Sequence, residues 1–324
     1  MSTKGYGSYR GRSPMKRFLK TLAVIVVILA ALIVGATLYL QQYLVVTDDG
    51  VRLELPFLSS AEPSPSPEPE ASPTPPVLEV VTPSPEPEPE AMIPVTMPNE
   101  ALYDGTALSR VQNVGGDCAL FEMKTTQGVF KYTSQIPLIA NTQLNATDPS
   151  LNSAIRAMNE TEGLYTVAMI PCFKDSSVSY CNYTFPILTN SGYYWTDPDN
   201  IIWISPTNPD VQTYVTEICV ELAELGFDEI LLDYAGYPSE GNLHYIRKGS
   251  AYDSTQFSTV ITGFYSQVSA ALSEYDVKLS VVTTQSALDG TDVLTGQTPD
   301  NLALVDRLWI KSETGSPSPL EKAS

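Results

Sequence analysis

One histidine, His244, occurs in the whole chain, and the four cysteines, Cys118, Cys172, Cys181 and Cys219, form no Cys-x-x-Cys pair. These scarcities argue against a structural zinc site, which needs clustered Cys and His ligands. Basic residues are also few. Beyond Lys20 only twelve Lys and Arg stand against 37 Asp and Glu. A domain so acidic has nothing to neutralise phosphates, which excludes nucleic acid as a partner, and an anionic lipid surface would repel it. No glycine-rich loop follows either of the first two strand-like segments, because Gly115 and Gly116 precede a strand. A nucleotide-binding sheet is therefore disfavoured. Nothing in the composition calls for a metal ion or an organic cofactor.

The basic residues that do occur are concentrated at the start. Lys4, Arg10, Arg12, Lys16, Arg17 and Lys20 lie in residues 1–20, with no acid among them. Residues 21–41 contain the run LAVIVVILAALIVGATLYL, Leu22 to Leu40. At about 1.5 Å per helical residue this is long enough to cross a hydrocarbon core. The positive-inside rule then makes residues 1–20 a cytoplasmic tail and puts the rest on the outer side of a bacterial envelope. A cleaved signal peptide with Val34-Gly35-Ala36 as its site is the rival, but the apolar run continues past Ala36. Residues 42–61 form a juxtamembrane segment in which Val51 to Phe57 alternates like a short strand. Residues 62–98 are built of Pro, Ser and Glu, as in EPSPSPEPEASPTPP. Proline removes backbone donors and fixes φ, so this stretch reads as a disordered, extended polyproline II stalk.

Residues 91–311 read as one α/β domain. Strand-like segments fall at Met92–Thr96, Asp117–Lys124, Leu164–Ile170, Asp228–Asp233, Val277–Thr283 and Arg307–Lys311. Helical patterns lie between them. Asp148 caps a helix to about Asn159. Asn208 and Pro209 open a helix that Gly226 closes, with Val211, Tyr214, Val215, Ile218, Leu222 and Leu225 on one face. A further helix starts at Asp253 or Ser254 and carries Phe257, Ile261, Phe264, Val268 and Leu272, and a short one covers Thr298 to Val305. Such alternation means a parallel sheet with right-handed crossovers, either an open doubly wound sheet or a β/α barrel. Residues 312–324 read as a disordered tail. Cys172 and Cys181 are the pair closest in sequence for a disulfide outside the cell, and Cys118 and Cys219 read as core.

In parallel α/β folds chemistry collects at the carboxyl ends of strands. Glu122 and Asp233 end two of these strands. Alternation puts Leu120, Glu122 and Lys124 on one face and Ala119, Phe121 and Met123 on the other; Leu231 and Asp233 likewise oppose Ile230 and Leu232. Two convergent carboxylates can hydrolyse a glycosidic bond, one protonated and one ionised. Tyr193, Tyr194, Trp195, Trp203, Tyr234 and Tyr237 supply flat rings that stack on the apolar faces of sugars. His244 reads as a solvated loop residue. The competing account of both acids is capping or pairing with lysine, and of the rings, core packing.

The run GFDEILLDYAGYPSEG, Gly226 to Gly241, resembles a segment of a bacterial glycosyl hydrolase domain family with a TIM-barrel fold, whose version has an Asp-Tyr-Val-Arg-Phe-Pro core. The matching residues are Asp233, Tyr234, Ala235, Gly236, Tyr237 and Pro238. ALFEMKTTQGVFKYTS, AMIPCFKD and YYWTDPDNIIWISPTNPDVQTY resemble further blocks of that family in the same order. The resemblance implies a (β/α) barrel of TIM type with catalytic Asp233 and Glu122 at its mouth. It implies substrate-binding roles for Lys124, Trp203, Tyr234 and Tyr237, and a polysaccharide or other glycan as partner. The chain departs where the family has arginine, at Met169 and Gly236, and where the family's fifth strand ends in an acid. The family also continues for two strands beyond the one matching Arg307–Lys311, so an incomplete barrel of about six strands is expected. The resulting expectation is a membrane-tethered glycoside hydrolase acting on cell-envelope or extracellular polysaccharide. The alternative is a degenerate barrel that binds glycan or an envelope protein without cleaving.

Overall fold

A computed structural model describes residues 44–47, 50–53, 92–311 and 317–320. The basic tail, the apolar run and most of the stalk lie outside the described residues; among those described, no helix is long and apolar enough to cross a membrane. The chain divides into two units, Met1–Thr82 and Pro83–Ser324. The described part of the first is a hairpin. Strands β1 (Leu44–Thr47) and β2 (Gly50–Leu53) pair antiparallel, with Leu44 opposite Leu53 and Thr47 opposite Gly50.

The second unit is built on a seven-stranded sheet whose strands neighbour one another in sequence order. They are β3 (Pro94–Thr96), β4 (Cys118–Glu122), β5 (Thr166–Pro171), β6 (Glu229–Asp233), β7 (Lys278–Thr283), β8 (Arg307–Lys311) and β9 (Pro317–Leu320). Strands β3 to β8 are parallel, and β9 runs antiparallel to β8. Parallel neighbours need crossovers. These contain helices α1 (Ala107–Asn113), α2 (Leu151–Asn159), α3 (Val178–Cys181), α4 (Pro209–Glu224), α5 (Phe257–Leu272), α6 (Gln285–Leu288) and α7 (Pro299–Leu302). The Asn208 side chain accepts from the Asp210 N–H, Pro209 occupies the first turn of α4, and Gly226 follows its end at φ +86°. Helix α5 begins at Phe257, later than the sequence suggests, because Asp253 accepts the Thr255 N–H and hydroxyl in a local turn. All five residues of its expected stripe are buried.

Strand alternation sorts two cores. Ala119, Phe121, Ile230, Leu232 and Val281 face the helices in the large outer core. Cys118, Leu120, Val167, Leu231, Val282 and Trp309 meet on the inner face. The sheet curls strongly toward a barrel. In a flat sheet β3 and β8 would lie about 24 Å apart, yet Arg307 Nη1 of β8 is 3.5 Å from Sδ of Met92, just before β3. The inner base is tied by Glu229, which is fully buried. It accepts from the Tyr165 hydroxyl and from Trp309 Nε1, each at 2.8 Å, and also from Ser280 and Arg307. A buried carboxylate without partners would be very costly; this one is saturated.

One expectation needs correction. Part of the tail expected to be disordered, Pro317–Leu320, is strand β9. Its prolines are two residues apart, so both missing N–H groups fall on one edge and leave Ser318 and Leu320 to pair with β8. Cys172 and Cys181, whose pairing the sequence leaves open, are both free thiols, Cys172 buried and Cys181 exposed. Burial holds the Cys172 thiol well above its usual range.

Candidate active site

Asp233 closes β6 on the inner face at the carboxyl end of the sheet. The chain then turns sharply, with Tyr234 in the left-handed region at φ +48°. A non-glycine residue there stores about 1–3 kcal/mol. The turn lets the Tyr234 N–H donate to Asp233 Oδ1 at 2.8 Å. The second oxygen, Oδ2, lies 2.9 Å from Lys311 Nζ at the end of β8. Asp233 is only 7% exposed. Burial pushes its pKa up, and the Lys311 ammonium opposes that shift without cancelling it.

The Tyr234 ring is the centre of a second layer. Lys311 Nζ sits 3.8 Å and Lys174 Nζ 4.8 Å from its centroid, both within cation–π reach. Lys174 is held by Asp197 at 2.7 Å and Asp199 at 2.8 Å, and Trp203 Nε1 donates to Asp197 at 3.1 Å. Trp203 meets the Tyr234 ring edge-on at 5.8 Å. Trp203, Tyr234 and Lys311 border a cavity of about 170 Å³ whose wall also includes Asp233, Tyr237 and Glu240. Tyr237 is a fixed wall: its ring stacks on Phe257 at 3.6 Å and its hydroxyl is shared with Thr207.

The structure thus brings four of the six expected site residues to one cavity: Asp233, Trp203, Tyr234 and Tyr237. Glu122 ends β4 on the same inner face and is exposed. It is level with Leu231 through Met169, so it stands two strands from Asp233 and one two-residue step below it. The strand spacing alone sets the pair about 10 Å apart at the backbone. Although its side chain reaches solvent, partial desolvation by the groups around it, with the Asp233 charge, raises the Glu122 pKa against the pull of Lys131 and Lys124. Lys124 is elsewhere. Alternation stops with β4 at Glu122, and Lys124 bridges to Phe130 in the loop beyond. Its ammonium is fully buried against Asp175 at 2.5 Å, beneath Tyr214 of α4. It therefore does not face the cavity, and its expected substrate contact is corrected to a structural ion pair.

Among the lining residues that were not expected at the site, three bear on its shape and charge. Lys311 was legible only as the end of a strand. Glu240 follows Asp233 by seven residues on the loop after β6, a spacing without periodicity. Gly236 is the third: a Cβ there would lie 2.7 Å from the Thr295 carbonyl, which accepts the Tyr237 N–H at 2.8 Å. The loop before α7 closes over the place where the resemblance implies an arginine.

A curled parallel α/β sheet with a carboxylate, two ammonium groups and aromatic walls at its carboxyl end defines an α/β barrel-like protein with its site at the mouth. The profile of the family described as "Putative glycosyl hydrolase domain" matches residues 105–304, more than half of the chain, and the chain belongs to that family. No curated protein sequence matches it. Among solved structures it is similar to a hypothetical protein from Ruminiclostridium thermocellum, with 21% identity and a TM-score of 0.45 over 58% of this chain and 96% of that one. It is also similar to the PgaB (BpsB) glycoside hydrolase domain from Bordetella bronchiseptica, with 15% identity and a TM-score of 0.43, covering 68% and 74%. The glycoside hydrolase domain of PelA from Pseudomonas aeruginosa gives 9%, 0.40, 72% and 74%.

Proposed function

We propose that the domain is a TIM-type glycoside hydrolase held on the outer face of a membrane by the N-terminal apolar run and the proline-rich stalk. Its substrate is an extracellular or cell-envelope polysaccharide. The observation that carries this reading is Asp233, buried at the end of a central strand inside a cavity walled by Trp203, Tyr234 and Tyr237. Asp233, with an ammonium at 2.9 Å, is the carboxylate kept ionised, and it takes a proton from the attacking water. Glu122, raised by burial and by the charge of Asp233, donates a proton to the leaving oxygen. Acids rooted two strands apart leave room between them for the water that inversion requires, at a carboxyl separation of ~6.5–9.5 Å.

The test is cleavage of a panel of neutral and acidic polysaccharides by the full chain and by Asp233→Asn, followed by proton NMR of the first anomer released. Inverted product from the wild type and none from the variant is the expected result. Equal product from both sinks the assignment. A second reading, glycan binding without cleavage, is favoured by one observation: both oxygens of Asp233 are already engaged, by Lys311 and the Tyr234 N–H. Under that reading neither protein releases product and both bind.

A further inference from the structure

We propose a second glycan-binding site beside the first: an outer aromatic platform that takes remote units of a neutral polysaccharide. The proposal rests on the reading of the Asp233 cavity as a glycan site and adds to it where a longer chain lies. A cavity of about 330 Å³ is lined by Tyr193, Tyr194, Trp195 and Tyr245 together with Asn190, Asn242 and hydroxyl residues. No charged side chain lines it, although 17% of the sequence is charged. Amides, hydroxyls and flat rings without formal charge match a neutral sugar, which offers hydroxyls at its edge and C–H groups on its face. The nearest formal charge, the Arg247 guanidinium, lies against Gly192 and is not part of the lining.

The rings stand on a fixed backbone, with Tyr245 backed by the His244 imidazole at 4.1 Å. Tyr193 is 77% and Tyr245 55% exposed, and neither hydroxyl has a hydrogen-bond partner among the described residues. Tyr193 stands on a tight hairpin whose turn contains Gly192 at φ +89°. The Thr189 N–H donates to the Tyr193 carbonyl at 2.7 Å, and the Tyr193 N–H donates to the Thr189 hydroxyl at 3.1 Å. The Asn190 N–H donates to the Tyr245 carbonyl at 2.8 Å, which locks the hairpin to the segment carrying the second ring. Tyr194 is pinned edge-on by Tyr180 at 5.8 Å. A fixed backbone under exposed tyrosines is the arrangement that binds at low entropic cost.

The platform and the first cavity are lined from the two ends of one short loop. Glu240 borders one and Asn242 the other. Between them Gly241 takes φ +88°, and a Cβ there would lie 3.0 Å from Pro198. Trp195 Nε1 donates to the Asn242 carbonyl at 3.2 Å and fixes the dividing loop from the platform side. A chain that leaves the Asp233 cavity over this loop meets the rings next.

The experiment is affinity electrophoresis of the full chain through gels holding dextran, a mixed-linkage β-glucan, galactomannan or polyanionic alginate. Wild type is compared with Tyr193→Ala/Tyr245→Ala and with Asp233→Asn. Both tyrosines are exposed, so the double variant keeps the fold, which circular dichroism checks. Expected is retardation of wild type and Asp233→Asn by at least one neutral polymer. The double variant should lose affinity on the order of tenfold, since each ring contact is worth about 0.5–1.5 kcal/mol. Unchanged binding by the double variant overturns the platform and leaves the catalytic reading standing. Wild-type binding to none of the neutral polymers, or to alginate alone, also overturns it. Full binding by Asp233→Asn with equal cleavage would overturn the catalytic reading instead.

Discussion

Lys311 Nζ lies 2.9 Å from Asp233 Oδ2, so a lysine at the end of β8 reaches past β7 to the acid at the end of β6. This contact sets the charge of the site. Burial favours the neutral acid, the ammonium favours the carboxylate, and the balance leaves the Asp233 pKa above its usual value. Lys311→Met removes the cation and lets burial act unopposed. The acidic limb of the pH–rate profile should move to higher pH, because the ionised base then forms later. A limb that stays put or moves to lower pH would show that Lys311 does not set this titration.

The same shift has a stability signature. Below the ordinary carboxylate range Asp233 is protonated in both folded and unfolded chains and contributes nothing. As pH rises from that range to the raised native value, the unfolded chain ionises first, so folding loses stability through this window. Asp233→Asn does not titrate. Its melting temperature relative to wild type should therefore rise between about pH 4 and neutrality. Thermal unfolding at a series of pH values checks this, and a difference that falls with pH would reverse the sign.

Much of the fold was legible because its signals are local. Short apolar runs such as Cys118–Glu122 and Glu229–Asp233 and the 3.6-residue stripe of Pro209–Glu224 are signals carried by neighbouring residues. The alternation that put Leu120 and Leu231 opposite Phe121 and Leu232 matches the inner and outer cores. What failed depended on partners far along the chain. Lys124 continues the period of its strand on paper, but the strand ends at Glu122, and Asp175 supplies a buried counter-charge. Pro317–Leu320 has the composition of a disordered tail and becomes a strand only because β8 offers an edge. Glu240 reaches the site through loop geometry, which leaves no period to read, and Lys311 through the curl that brings the end of β8 toward β6.

Met169 stands on β5 between Glu122 on β4 and Leu231 on β6, where the family resemblance implies arginine. A guanidinium there would face both acids. Met169→Arg should lower the Glu122 pKa from its raised value, since a nearby cation favours the carboxylate. Carboxyl carbon NMR of Glu122 across a pH titration measures it. An unchanged midpoint would mean that the side chain at 169 does not reach the acid.

Gly236 tests the closed loop over the cavity. A methyl group at this position would sit 2.7 Å from the Thr295 carbonyl and 3.1 Å from its Cβ. Backbone cannot yield as a flexible side chain does, so Gly236→Ala must push the Thr295 loop outward. The expected cost is about 1–3 kcal/mol in urea unfolding. Amide exchange should also quicken at Tyr237, whose N–H donates to that carbonyl. Wild-type stability and protection would show that the loop does not press on Gly236.

Lys124 and Asp175 make the sharpest case for separating architecture from chemistry. Both side chains are fully buried, and Asp175 also accepts from the Tyr214 hydroxyl at 3.2 Å and the Val178 N–H at 3.1 Å. The pair joins the loop after β4 to α3 and α4. Removing one partner strands the other charge away from water, which costs about 3–5 kcal/mol. Lys124→Met should therefore lower stability by that amount, while Lys124→Met/Asp175→Asn should recover part of it because no buried charge is left unpaired. If Lys124 instead contacted substrate, Lys124→Met would fold normally and raise KM. Urea unfolding of the two variants beside steady-state kinetics separates the outcomes: a destabilised protein whose folded fraction keeps the wild-type KM places Lys124 in the frame and outside the site.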